Sequence, residues 1–172
     1  MKIIATVVLF MLSFSLTATS QEKTTQTTNP YYSRTDTKKI RVKNSEWKKI
    51  LSPALYAVAR ENATERAFTG KLWNSEQKGT YYCAVCGNEL FRSTAKFASD
   101  CGWPSFFETT RKGSTIYKTD NSLGMERIEV RCGRCDSHLG HIFDDGPPPT
   151  YKTLLHELDF TRFRSGWIRS II

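Results

Sequence analysis

The chain has 172 residues, with 25 Lys and Arg against 17 Asp and Glu, a formal charge of +8, and a composition 39% hydrophobic and 24% charged. That leaves room for one hydrophobic core plus a leader or tail, and one core is the working expectation. The positive charge would suit nucleic acid or an anionic surface, but many of the basic residues lie outside the cysteine- and histidine-bearing region, so charge alone decides little.

In chain order, Lys2 precedes an apolar stretch from Ile3 to about Leu16 and then Ala18-Thr19-Ser20, the small-residue spacing of a signal-peptidase site. Residues 1–20 therefore read as a cleaved signal peptide of an exported protein, periplasmic or secreted. An uncleaved membrane anchor is the second reading, disfavoured because the stretch is shorter than the ~20 residues that span a bilayer. Residues 21–42, rich in Thr, Gln, Asn and Lys, read as a flexible linker, since they hold too little apolar surface to offset chain entropy. The domain proper is expected over residues 43–152. Ser45 can cap a short helix containing Trp47, Ile50 and Leu51, and Ser52-Pro53 can start a second containing Leu55, Tyr56 and Val58. From Tyr81 onward, aromatic and β-branched residues recur between turn signals: Thr80–Tyr82, Glu89–Phe91, Thr115–Lys118, Ile128–Arg131 and Ile142–Phe143. The fold class expected is mainly β, a small antiparallel barrel-like domain with short N-terminal helices. Pro147-Pro148-Pro149 is a stiff connector before a last segment.

Five cysteines in an exported chain would ordinarily suggest disulfides. Their spacing suggests otherwise. Cys83-x-x-Cys86 and Cys132-x-x-Cys135 are two knuckles with a glycine beside a cysteine, and tight turns of this kind aim paired thiolates at one tetrahedral ion. One structural zinc held by Cys83, Cys86, Cys132 and Cys135 is expected; two disulfides remain the alternative. A closed four-thiolate site has no open position for water, so any reaction must lie elsewhere. Cys101 is left over.

Two further clusters are less generic: Cys101-Gly102-Trp103-Pro104-Ser105-Phe106 and Ser137-His138-Leu139-Gly140-His141-Ile142-Phe143-Asp144-Asp145-Gly146. Together with the two knuckles, Gly124-Met125-Glu126-Arg127 and Ala63-Thr64-Glu65-Arg66-Ala67-Phe68-Thr69-Gly70, they resemble the methionine-R-sulfoxide reductases of the B type over about Ser45 to Tyr151. The resemblance implies repair of oxidised methionines: reduction of peptide or protein methionine (R)-sulfoxide, with a thioredoxin-like protein as the reductant. The chemistry needs a thiolate to attack sulfur, a donor to protonate the leaving oxygen, and an apolar surface for the methyl group. By resemblance, Trp103 and Phe143 bind substrate, and His138 and His141 hold the sulfoxide oxygen and a proton-delivering water. Cys101 matches the resolving cysteine, which attacks the nucleophile's sulfenic acid to form a disulfide. Residues three apart on a regular strand point to opposite faces, so His138 and His141 share a pocket only if Gly140 permits a bulge. No nucleic-acid partner is expected, and a monomer is.

One departure changes the expected outcome. The family continues after its Asp-Gly-Pro stretch into Arg-Tyr-Cys-x-Asn-Ser, whose cysteine is the nucleophile, whereas this chain has Tyr151-Lys152-Thr153-Leu154-Leu155-His156-Glu157-Leu158 and no cysteine after Cys135. Thr-Leu-Leu-His-Glu-Leu can be encoded as ACG CTA CTG CAT GAA CTC, and dropping the first base gives Arg-Tyr-Cys-Met-Asn. An extra base near Lys152 would make residues 153–172 a non-homologous tail and the chain catalytically inactive. A zinc-ribbon binding module is the alternative function, but it leaves the tryptophan and histidine clusters unexplained.

Overall fold

The computed structural model describes residues 28–156 and 161–165. The expected signal peptide, residues 21–27 of the expected linker, and residues 157–160 and 166–172 of the expected tail lie outside the described residues. Among those described, no helix is long and apolar enough to cross a membrane.

Two short helices open the domain, α1 (Asn44–Ile50) and α2 (Pro53–Glu61). The second starts as expected: Ser52 Oγ accepts the Leu55 amide, and Pro53 occupies the first turn, where its missing N–H costs nothing. The first does not. Lys43, not Ser45, stands at its N-cap with no side-chain bond, and α1 is held by its packing, with Trp47 at 1% exposure inside the core.

Among the described residues nine strands follow: β1 (Gly79–Cys83), β2 (Glu89–Arg92), β3 (Lys96–Phe97), β4 (Ser105–Phe106), β5 (Thr115–Asp120), β6 (Arg127–Cys132), β7 (His138–Phe143), β8 (Thr153–Leu155) and β9 (Thr161–Ser165). All pairings are antiparallel. They form a three-stranded sheet ordered β2-β1-β9 and a six-stranded sheet ordered β3-β4-β8-β7-β6-β5, without a closed barrel among the described residues. Each strand expected from the sequence lies inside an observed one. The additional β3 and β4 are two residues each, too short for alternation to be read.

The sheets share one core. Phe91 and Phe106 stack at 4.3 Å, Tyr81 meets Phe106 edge-on at 4.9 Å, and Leu90, Val130, Leu139 and Leu154 fill the space around them. Leu154 belongs to the segment expected to be a non-homologous tail, yet it pairs in register with Phe106 on one side and Ile142 on the other. Burying such a side chain fully is worth about 1.5–3 kcal/mol.

The described part of the segment expected to be a flexible linker, residues 28–42, is tied down. Tyr31 packs edge-on against Trp47 at 5.1 Å, and Tyr31, Ile40 and Val42 pack on the core. Asn29 Nδ2 donates to the Val85 carbonyl at 2.7 Å, and the Ser33 amide donates to the Cys86 carbonyl at 2.9 Å. These bonds and three aromatic or β-branched side chains outweigh the polar composition that pointed to a linker.

Candidate metal centre and active site

Both Cys-x-x-Cys segments are tight turns at strand ends, built alike. The Gly87 amide donates back to the Cys83 carbonyl at 2.8 Å, and the Asp136 amide to the Cys132 carbonyl at 2.9 Å. The residue after each second cysteine is left-handed, Gly87 at φ 78° and Asp136 at φ 60°. The turns face each other and bring four buried sulfurs within 4.8 Å of one another. Cys83 and Cys135 sulfurs are 3.8 Å apart, Cys86 and Cys132 sulfurs 3.6 Å, and none is disulfide-bonded. Four thiolates at about 2.3 Å from a tetrahedral ion have edges of about 3.8 Å, so the donor set fits one metal ion. Hydrogen bonds, that of Cys135 foremost, hold Cys132 well below the ordinary thiol range, while hydrogen bonding with Cys132 pushes Cys83 well above it and burial does the same to Cys135.

A second site lies on the six-stranded sheet, a cleft of about 120 Å³ lined by Trp103, Arg127, Gly140, His141, Phe143 and Leu155 among others. Trp103 comes from the loop before β4, which is anchored where the Phe68 amide donates to the Gly102 carbonyl at 2.9 Å. The expected bulge is present. Val130 pairs with Gly140 but Arg131 pairs with His138, so β7 carries one extra residue there, and Gly140 has φ 149°. The bulge brings both rings together, with centroids 5.4 Å apart.

Each ring has a carboxylate partner. His138 Nδ1 is 2.7 Å from Glu129 Oε1, and His141 Nε2 is 2.8 Å from Asp120 Oδ2. Burial holds His138 below the ordinary imidazole range, against the pull of Glu129. Asp120 is held well below the carboxylate range by hydrogen bonds from Ser122 and then from His141, with Arg127 adding its charge.

Of the residues expected at the site, Trp103, His141 and Phe143 line the cleft and His138 lies against His141. Cys101 does not line it. Its sulfur is 2.9 Å from Ser99 Oγ and 3.5 Å from Ser105 Oγ, and Ser105 is the register partner of Leu155. Leu155, from the segment after the proline run, also lines the cleft. Sequence reasoning gave no role to Asp120 or Glu129. The signal for the latter was present, since Arg127, Glu129 and Arg131 alternate and so share one face of β6.

The description of the SelR domain matches residues 51–155 of this chain. The chain is 48% identical over 112 residues to the peptide methionine sulfoxide reductase MsrB of Agrobacterium fabrum, covering 65% of this chain and 83% of that protein. It is 50% identical over 115 residues to the enzyme of the same name from Methanosarcina barkeri, covering 67% and 81%. With that of Thiobacillus denitrificans the identity is 51% over 107 residues, covering 62% and 81%. With its four-cysteine centre, its tryptophan- and histidine-lined cleft and these relatives, the chain belongs to the SelR domain family, the MsrB-type methionine sulfoxide reductases.

Proposed function

We propose that this domain binds the R epimer of peptide methionine sulfoxide in the Trp103 cleft and, with Leu155 where the reaction needs a thiolate, does not reduce it. The observation that carries this is the position of Leu155: it lines the cleft with Trp103, His141 and Phe143, and it stands opposite Ser105, whose hydroxyl is 3.5 Å from the Cys101 sulfur. A thiolate at that place would attack the sulfoxide sulfur, and the oxygen would pass to it as a sulfenic acid while methionine leaves. Cys101 would then attack that sulfur to give a disulfide and water, and a dithiol reductant of the thioredoxin type would restore both thiols. A leucine side chain has no nucleophilic atom, and neither Cys101 nor the buried knuckle sulfurs line the cleft to replace one.

Within this reading, Trp103 and Phe143 accept the methyl group, and His138 and His141 hold the oxygen and its water. The metal is one zinc ion, since four thiolates at tetrahedral spacing are its usual structural donors. Zinc there supplies a crosslink between the two knuckles. The displaced reading frame near Lys152 accounts for Leu155, and sequencing the gene tests it: codons for residues 153–158 unable to spell the latent motif end that explanation. Export through residues 1–20 and a monomeric state are part of the same proposal.

Calorimetry with a short peptide carrying one methionine sulfoxide tests recognition apart from turnover. The R epimer is expected to bind and the S epimer not, and Trp103→Ala to weaken binding by roughly tenfold, about 1.4 kcal/mol. Equal binding of the epimers, or none of either, contradicts it.

A further inference from the structure

Each histidine of β7 ends a chain of three charged or polar groups. Glu129 receives His138 Nδ1 at 2.7 Å and Arg131 Nη1 at 2.9 and 3.2 Å on its two oxygens. Asp120 receives His141 Nε2 at 2.8 Å and Arg127 Nη2 at 2.7 Å on one oxygen, and the Ser122 amide at 2.9 Å on the other. The strand geometry builds both chains on one face. Asp120 is the register partner of Arg127, Glu129 is the partner of His141, and the bulge turns His138 onto the same side.

Burial makes this more than a surface ion-pair network. Glu129 is 4% exposed, and a carboxylate so far from water costs more than a pair with one arginine returns unless further hydrogen bonds satisfy it. His138 is 2% exposed, with Nδ1 anchored and Nε2 without a hydrogen-bond partner among the described residues. A buried ring nitrogen left open while its opposite is tightly held is set to meet something that arrives at it.

We infer that Glu129 and Asp120 are positioning residues, fixing ring plane and tautomer so that His138 keeps its proton on Nδ1 and His141 on Nε2. Each ring then has one nitrogen free for the ligand, Nε2 of His138 and Nδ1 of His141. Arg131 and Arg127 each donate to the carboxylate that the ring meets, which fixes the orientation of that carboxylate. This rests on the cleft being the sulfoxide site, as proposed above, only for the identity of the ligand.

Nitrogen-15 NMR of the imidazoles in the full, metal-loaded chain reads the tautomers directly, and with three histidines in the sequence the spectrum is small. At neutral pH the expected result is opposite tautomers, Nδ1–H for His138 and Nε2–H for His141. Glu129→Gln is expected to disturb only His138 and Asp120→Asn only His141. Glu129→Ala and Asp120→Ala provide the same readout without an amide that could substitute as acceptor, and circular dichroism checks that each variant is folded. Unchanged tautomers in all four variants, or rapid tautomer exchange in the unaltered chain, overturn the inference. A second readout uses Leu155→Cys as background, where Asp120→Asn or Glu129→Gln is expected to lower kcat by roughly 10–100-fold with KM little changed. If Leu155→Cys is inert while the tautomers respond as stated, the functional reading fails and the positioning role stands.

Discussion

The carbonyl oxygen of Leu155 lies 2.2 Å from the point where a Cβ on residue 140 would sit, so only glycine lets β8 lie against the β7 bulge. One backbone contact thus couples the two features that define the cleft, the shared face of His138 and His141 and the placement of Leu155.

Gly140→Ala is expected to destabilise the domain by roughly 2–4 kcal/mol, because φ 149° disfavours a side chain and the clash is with backbone rather than a movable side chain. Urea denaturation measures it. A change within about 0.5 kcal/mol would mean that β8 does not sit where described.

A metal ion held by the four buried thiols, whose sulfurs lie within 4.8 Å of one another, would be the crosslink between the two knuckles, so its removal should cost the fold more than any surface change. Cys135→Ser, or treatment with a strong chelator, is expected to lower Tm by more than about 10 °C, on a scale where 1 kcal/mol shifts a domain of this size by roughly 2–8 °C. An unchanged Tm would contradict a structural ion.

Residues 28–42 are tied to the knuckles by Arg134, which is buried and donates to the carbonyls of Cys86 at 2.6 Å and Tyr31 at 2.9 Å and to Asp36 Oδ2 at 3.0 Å. Arg134→Met should speed metal loss to a chelator roughly tenfold. Asp36 adds a pH signature. The Lys38 amide, then Arg134, hold its carboxyl below the unfolded value of 3.8, so its stabilising contribution is complete above that pH and is lost as pH falls through the folded pKa. Asp36→Asn should therefore be less stable than the unaltered chain at neutral pH, with the gap closing below pH 3.8. A gap that stays constant down to strong acid would contradict the pairing.

How much of this was legible beforehand varies with the physics behind each feature. The knuckles could be located from cysteine spacing, whereas Trp103, Phe143 and the histidine pair were located through their resemblance to the motifs of the B-type family, and the bulge at Gly140 followed from asking how residues three apart could share a face. The helix start at Asn44 could not be read, because packing of Trp47 rather than a capping side chain sets it. Asp120 was missed because it meets His141, 21 residues on, only through cross-strand packing, and Glu129 because its alternation with Arg127 and Arg131 was not read as one face of a strand. Composition did not show how residues 28–42 are held, since a few contacts, those of Tyr31 and Asp36 above all, fix an otherwise polar segment.

The most direct measurement is a single-turnover assay of the unaltered chain beside Leu155→Cys, each mixed with an equimolar peptide carrying methionine (R)- or (S)-sulfoxide. The expected result is no methionine from the unaltered chain and about one equivalent from Leu155→Cys with the R epimer alone, with a disulfide between Cys101 and the introduced cysteine detected by mass spectrometry. Turnover by the unaltered chain, or no product from a folded Leu155→Cys variant that still binds the R epimer, would contradict the placement of Leu155 at the nucleophile's position.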